Sequence, residues 1–329
     1  MALKAGAIRF NTDSSQMEIY DGNQWTGILS TSPEQQTGGT RGLIMGGIKL
    51  NPTRRTEDVE FINIGTTGDA VDFGDLTQSA SQGGGLGSRT RAVAGGGTPS
   101  SPGGTNNIDF HEFASTGTFN DFGDFATTGF ARAGISNSTR GVWLGRAVAP
   151  NTFNEIEYIT IASTGDSKDF GDLTSARHTL GAAGNATRGI AIGGNPSNTT
   201  MDYVTISTLG NAAEFGDLTL SVWNTRGGNC GNAVRGLVTG GDQGSTNTIQ
   251  FVTINTLGTA VDFGDRTVTK SQVAHMSSTT RACFAGAGEG NDDTIDYVQI
   301  MTLGNAVDFG NLTENNGYAV GASNGHGGL

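Results

Sequence analysis

The stretch Val71-Asp72-Phe73-Gly74-Asp75-Leu76-Thr77 contains Asp-Phe-Gly, the triplet whose carboxylate holds magnesium in kinases. It is not alone. "NDFGDFA" follows at Asp121, "KDFGDLT" at Asp169, "AEFGDLT" at Glu214, "VDFGDRT" at Asp262 and "VDFGNLT" at Asp308. A catalytic centre is built once, so recurrence along one chain marks a structural repeat. The Gly-rich loop and catalytic-loop motif of a kinase are also missing. His111, His178, His275 and His326 fall at different phases of the repeat and form no set, and no His-Glu-x-x-His motif occurs. "GEGNDD" at 288–293 is the richest source of calcium ligands, but it lacks EF-hand and nonapeptide spacing and reads as a solvated acidic loop. Two carboxylates facing one another could serve a glycosidase, so a glycan-active enzyme stays as an alternative. The leading expectation is a non-enzymatic protein with no catalytic residue, cofactor or metal.

Composition narrows the partners. Asp and Glu outnumber Lys and Arg by 31 to 19, giving a net charge of −12. Phosphate backbones and anionic membranes both need clustered cations, so neither is an expected partner. No run reaches the ~20 apolar residues of a membrane-spanning helix, and the N-terminus has no apolar signal core. The expectation is a soluble chain made in a reducing cytoplasm, with Cys230 and Cys283 as buried thiols.

The repeat has fixed internal spacing. Its anchors, Phe73, Phe122, Phe170, Phe215, Phe263 and Phe309, are 49, 48, 45, 48 and 46 residues apart. Another aromatic (Phe61, Phe110, Tyr158, Tyr203, Phe251, Tyr297) precedes each anchor by 12 residues. A glycine (Gly68, Gly117, Gly165, Gly210, Gly258, Gly304) follows each of these aromatics by 7. An arginine (Arg41, Arg91, Arg140, Arg188, Arg235, Arg281) opens each unit.

These residues need strands to hold them. After each arginine comes an apolar run such as "RGIAIGG", read as strand b and buried on both faces. The aromatic sits on strand c, as in "EIEYITI". The following glycine allows a tight hairpin, and strand d carries Phe-Gly-Asp. Strand a falls before the next arginine. The Asp after each Phe-Gly is expected to cap backbone N–H groups or to meet the repeated arginine. Four strands in about 48 residues match a propeller blade. The fold class is therefore all-β, a six-bladed β-propeller over residues 38–329, with a stacked solenoid as runner-up. The first unit lacks strand a, and the C-terminal segment at about 317–324 aligns with it. That segment should close the ring and hide both sheet edges. A truncated seventh blade is the alternative.

Residues 1–37 form a separate segment. "GAIRFNTDSSQMEIYDGNQWTGI" reads as a hairpin of strands 7–10 and 17–20, followed by an aromatic at Trp25. "STSPEQQTGGT" reads as a linker. The hairpin is too small to bury a core alone, which makes Phe10, Tyr20 and Trp25 its candidate attachment residues.

An apolar run ending in Gly-Gly, then an aromatic, then a second aromatic resembles the kelch repeat; "RGIAIGG" with Tyr203 and Phe215 carries it best. Kelch units have Trp where this chain has Phe, and a shorter gap between the aromatics. Units such as "TIDYVQIMTLGNAVDFGNLT" look like repeats of virion structural proteins from tailed phages of cyanobacteria, and the N-terminal hairpin resembles one common in phage fibres and tails. The resemblance implies a virion protein of the tail or a fibre. Its expected partners are other virion proteins and a host-surface glycan or protein receptor, with oligomers through virion symmetry. A capsid or tail decoration protein that binds only virion partners is the alternative.

Length varies mainly between strands b and c, where five of the six prolines lie. Variable connections on a constant frame are the usual place for recognition. The candidate binding residues are therefore Asn51, Arg54, Arg55, Ser100, Ser101, Asn106, Asn151, Asn195, Asp242 and Asn291.

Overall fold

A computed structural model describes residues 4–11, 16–27, 40–50, 52–99, 103–196, 199–222, 228–240, 246–288 and 292–329. The fold is all-β: among these residues there is no helix, and the strands pair antiparallel in sheets of three or four. The chain divides into two units, Met1–Gly38 and Gly39–Leu329.

The first unit is a three-stranded sheet of Ile8–Asn11, Gln16–Tyr20 and Trp25–Gly27. The third strand goes beyond the expected hairpin, and one side chain explains it. The Asp21 carboxylate accepts the Asn23 and Gln24 N–H groups at 2.7 and 2.8 Å, a tight turn that sets Trp25 opposite Tyr20. The expected linker falls almost wholly in residues 28–39, outside the described residues.

The second unit contains six repeats of one sheet, and strand a is the first strand of each. The first sheet runs Val320–Ser323, Arg41–Met45, Asp58–Asn63, Val71–Asp75, so its strand a comes from the C-terminal segment. Val320 pairs with Met45, and Ser323 with Gly42. The second is Gly84–Gly87, Arg91–Gly95, Thr105–Glu112, Asn120–Gly129. The third is Ala133–Ser136, Arg140–Val148, Asn151–Thr160, Lys168–Asp172. The fourth is Gly181–Gly184, Arg188–Ile192, Thr200–Thr205, Ala213–Asp217. The fifth has Arg235–Thr239, Thr248–Thr253 and Val261–Asp265, with Gly231 bridged to Gly236 in the place of strand a. The sixth is Ala274–Ser277, Arg281–Ala285, Thr294–Gln299, Val307–Asn311. A small extra sheet joins Asn316–Gly317, Ile48–Leu50 and Thr53–Arg55. Part of the first b–c connection, expected as a loop, is thus a hairpin.

Each strand b is buried after its arginine, and the apolar clusters lie between neighbouring sheets. The strand c aromatic meets the anchor Phe of strand d edge to face, as with Tyr203 and Phe215 at 6.3 Å. The glycine after each anchor permits close approach to the next sheet. Gly216 has φ +146°, and a Cβ on it would lie 2.2 Å from the Gly258 carbonyl oxygen. That approach lets the next hairpin glycine donate its N–H to the anchor carbonyl. Gly117 bonds Phe73, Gly165 bonds Phe122, Gly210 bonds Phe170, Gly258 bonds Phe215, Gly304 bonds Phe263, and Gly68 bonds Phe309, all at 2.7–2.9 Å. Each sheet is therefore bonded to the next, and the sixth to the first.

The arginines have a different role from the expected one. Each guanidinium lies over the strand c aromatic of its own sheet, as Arg188 does over Tyr203 at 4.5 Å. Its Nη1 donates to a carbonyl of the next sheet: Arg188 to Ile254 at 2.9 Å, and Arg281 to Ile64 at 3.2 Å. The Asp after Phe-Gly is neither the arginine's partner nor the cap. In four of the six units its own N–H is capped from the next sheet by the residue after the hairpin glycine: Asp124 by Asp166, Asp172 by Asn211, Asp265 by Asn305, and Asn311 by Asp69.

Candidate functional site

Alternating strand direction puts the b–c and d–a connections at one end of every sheet, here the loop end, and the a–b and c–d turns at the other. The loop end rests on a buried polar row that the sequence reading missed. The residue before each strand c aromatic is an acid or an amide: Glu60, Asp109, Glu157, Asp202, Gln250 and Asp296, all buried. Each accepts from the chain a few residues after the anchor Phe of the preceding sheet. Thr77 donates N–H and Oγ1 to Asp109, Thr174 to Asp202, Thr219 to Gln250 and Thr313 to Glu60. Ala126 and Thr267 donate N–H to Glu157 and Asp296. The chain at the end of each strand d is thus held down by an acid or amide of the next sheet.

Cations from several sequence positions neutralise this row. Lys49 lies 3.8 Å from Glu60, Arg132 3.3 Å from Glu157, Arg177 2.5 Å from Asp202 and Arg266 3.2 Å from Asp296. Burial lowers Arg132 to about 10 although Glu157 opposes it, and pushes Glu157 up although Arg132 and Ser167 oppose it. Asp109 has Thr77 and Asn107 as donors instead of a cation, and burial raises it. Gln250 needs no counter-charge. The signal was legible as an acid or amide beside the aromatic in all six units.

Where the sixth and first sheets meet, the loop end opens into a cleft of about 300 Å³ lined by Lys49, Asp293, Thr313, Glu314 and Asn315. Lys49 is buried beneath it, 2.6 Å from Asp58 and 3.4 Å from Glu314. Burial works against its charge, but the hydrogen bond and attraction of Asp58, with Glu60 and Glu314 nearby, hold the ammonium above the ordinary lysine value. The cleft offers carboxylate, amide and hydroxyl groups in short compass, a set suited to hydrogen-bonding hydroxyls of a ligand.

Of the expected binding residues, Arg54 comes to this cleft: its Nη2 is 3.4 Å from Glu314 Oε2. Arg55 is exposed on the same short strand. Both stand on a strand where a loop was expected. Asn106, half-buried, is on strand c of the second sheet, and Asn151, exposed, begins strand c of the third. Asn195 is bridged through its backbone to His178. These three stand on separate sheets and do not form one site. Asn51, Ser100, Ser101, Asp242 and Asn291 lie outside the described residues. In the acidic loop, Asp292 is committed to Lys270 at 3.2 Å and to the Thr294 N–H.

In the N-terminal unit the expected anchors divide between faces. Tyr20 and Trp25 share one, their centroids 5.4 Å apart, with the Arg9 guanidinium 4.2 Å over Trp25. Phe10 is on the other face with Ile8 and Ile19, all exposed. Strand alternation forbids one patch containing all three aromatics.

The five named a strands carry Gly, Ala, Ser and apolar residues, with one histidine, His275, and no carboxylate: "GGLG", "AGIS", "GAAG", "AHMS" and "VGAS". The backbones approach closely there. A Cβ on Gly85 or Gly228 would lie within 2.3 Å of the Gly321 carbonyl oxygen. The letters Gly321-Ala322-Ser323-Asn324-Gly325 fit the Gly-x-Ser-x-Gly of a nucleophile elbow. The geometry does not fit it: Ser323 is buried on a strand and donates to the Ser277 carbonyl at 2.7 Å. His326 is buried beside it, bonded to Asn229 Nδ2 through Nδ1 and to the Gly87 carbonyl through Nε2.

No protein-family model matches the chain, and no curated protein matches it. Among the described residues, no helix is long and apolar enough to cross a membrane.

Proposed function

We propose that the second unit is a six-bladed, kelch-like β-propeller closed by the C-terminal strand, and that the protein is a phage virion component. In this reading the propeller is displayed on the tail or a fibre, where its loop end binds a host-surface ligand or a neighbouring subunit. The observation that carries the reading is the contrast between frame and connections. The frame repeats its hydrogen bonds from sheet to sheet, including Gly68 to Phe309. The b–c connections repeat neither length nor form: one is an added hairpin, another a long two-stranded ribbon. A constant frame whose connections vary in length and form at one end of its sheets is suited to recognition there. The cleft by Lys49 favours a hydroxyl-rich ligand such as a surface glycan. The first unit, with apolar and aromatic side chains exposed, suits attachment to another virion protein.

The test is phage particles in which residues 50–55 are replaced by a two-residue Asn-Gly turn. The expected result is normal incorporation with adsorption to host cells reduced at least tenfold. Normal incorporation with normal adsorption would remove the host-surface role and favour a decoration protein that binds only virion partners.

A further inference from the structure

The turn end, opposite the loop end, also departs from the repeat. In the first three sheets the residue before the c–d hairpin glycine is Thr67, Thr116 or Thr164; in the fourth to sixth it is Leu209, Leu257 or Leu303. The three leucines are half exposed. In the fifth and sixth sheets the strand d that follows opens with Val261 and Val307, also half exposed; the first sheet has Val71 there, but the second and third have Asn120 and Lys168. Met301 adds another exposed apolar side chain. A shallow groove of about 180 Å³ lies within this area, between Phe215 of the fourth sheet and Leu257 and Val261 of the fifth. Exposed apolar side chains scattered singly need no explanation. Here the same side chain is exposed at the same place on three consecutive sheets and a groove lies among them, which makes a repeated apolar edge that a partner segment can cover.

Charge says what kind of partner fits. Residues 207–214, 255–262 and 301–308 contain no Lys or Arg, and the arginines at the adjoining a–b turns, Arg188, Arg235 and Arg281, are each held by an aromatic ring of their own sheet and a carbonyl of the next. Each ends in an exposed carboxylate: Glu214, Asp262 and Asp308. A second copy would bring the same carboxylates, on a chain of net charge −12, against themselves. We propose that the turn end of the fourth to sixth sheets is a docking surface for a protein segment with apolar anchors flanked by Lys or Arg. The leucines and the groove take the anchors, and the carboxylates meet the cations. This surface is independent of the loop end and of the proposed host-surface role.

The test uses the full chain and two synthetic 14-residue peptides, one alternating Leu with Lys and one alternating Leu with Glu. Hydrogen exchange locates the contact. The expected result is protection at 255–262 and 301–308 by the Lys peptide alone. Its affinity should fall at least tenfold in a Leu257→Ser/Leu303→Ser variant, and also at raised salt. Protection elsewhere, equal binding of the Glu peptide, or unchanged affinity in the variant would overturn the proposal. Dimers of the wild-type chain that the same variant abolishes would overturn it in favour of a second copy.

Discussion

The N–H of Gly68 donates to the carbonyl oxygen of Phe309 over 2.8 Å, so the first c–d hairpin of the larger unit rests on its last strand d. The same bond joins every other pair of successive sheets. Its recurrence between the ends of the unit ties local repeat geometry to a contact between residues far apart in sequence. Arg281, which donates to Ile64, and Thr313, which donates to Glu60, cross the same boundary. A unit held this way should be sensitive to loss of the segment that completes its first sheet.

Deleting residues 317–329 removes the pairing of Val320–Ser323 with Arg41–Met45 and the bonds of His326. It bares two strand edges. We expect aggregation, or a melting midpoint lower by ~10 °C or more, corresponding to several kcal/mol. Melting with size-exclusion chromatography measures it. A monodisperse truncation that melts like the full chain would mean that the C-terminal strand is dispensable.

Gly210 and Gly216 separate backbone strain from contact. Both have φ +146°. A Cβ on Gly210 meets nothing within 4 Å, whereas one on Gly216 would lie 2.2 Å from the Gly258 carbonyl oxygen. Gly210→Ala should cost about 1 kcal/mol, and Gly216→Ala at least twice that, because it also forces two sheets apart. Urea denaturation of both variants decides. Equal losses would mean that the sheets adjust without cost.

The buried pair Arg177–Asp202 should be costly to break and cheap to replace. Both side chains are fully buried, and Arg177 also donates to the carbonyls of Gly193 and Thr200. The fifth sheet has neutral Gln250 at the position of Asp202 and still binds Thr219. Asp202→Gln alone leaves a buried guanidinium without its carboxylate, at about 3–5 kcal/mol. Adding Arg177→Leu should recover at least half of that. A double variant less stable than Asp202→Gln would show that Arg177 acts through its carbonyl bonds and not through the ion pair.

The frame was legible because spacing is geometry. Gly210, seven residues after Tyr203, turns the hairpin, and Phe215 packs edge to face on that same Tyr203. Partner choice was less legible. Asp172 looked like a cap because of its type, but a cap works on a neighbouring N–H, and the neighbouring sheet supplies Asn211 for it. Arg188 looked like an ion-pair partner for a repeated acid, but the nearest things in the fold are a ring face and a carbonyl. Arg132, Arg177 and Arg266 could not be aligned as one feature, since they reach the buried row from different sequence positions. Of the candidate binding residues, Arg54 was found at the cleft because it lies in the longest connection. Lys49 and Glu314, which form the cleft with it, belong to opposite ends of the unit and meet only once the first sheet is completed.

Two buried histidines predict an acid-sensitive fold. His326 accepts the Gly328 N–H on Nδ1 and donates from Nε2 to the Gly87 carbonyl, which defines the neutral tautomer. Burial lowers it to about 4; the Gly87 carbonyl opposes that shift, and Arg89 adds to it. His275 packs edge to face on Phe284, and burial, with the charge of Arg266, lowers it to about 3. The unfolded chain takes up protons on both near pH 6.5, and the folded chain does so only near 4 and 3. Their contribution is therefore complete above the unfolded value and is lost as pH falls toward the folded values. Each should remove about 2 kcal/mol between pH 7 and pH 5. Over that range Asp109 and Glu157, raised by burial, act in the opposite sense, so the comparison must be between variants. Urea titrations at pH 7, 6 and 5 should give His275→Phe a loss about 2 kcal/mol smaller than that of the wild-type chain. Parallel pH profiles for the two proteins would mean that His275 is protonated in the folded state at no cost.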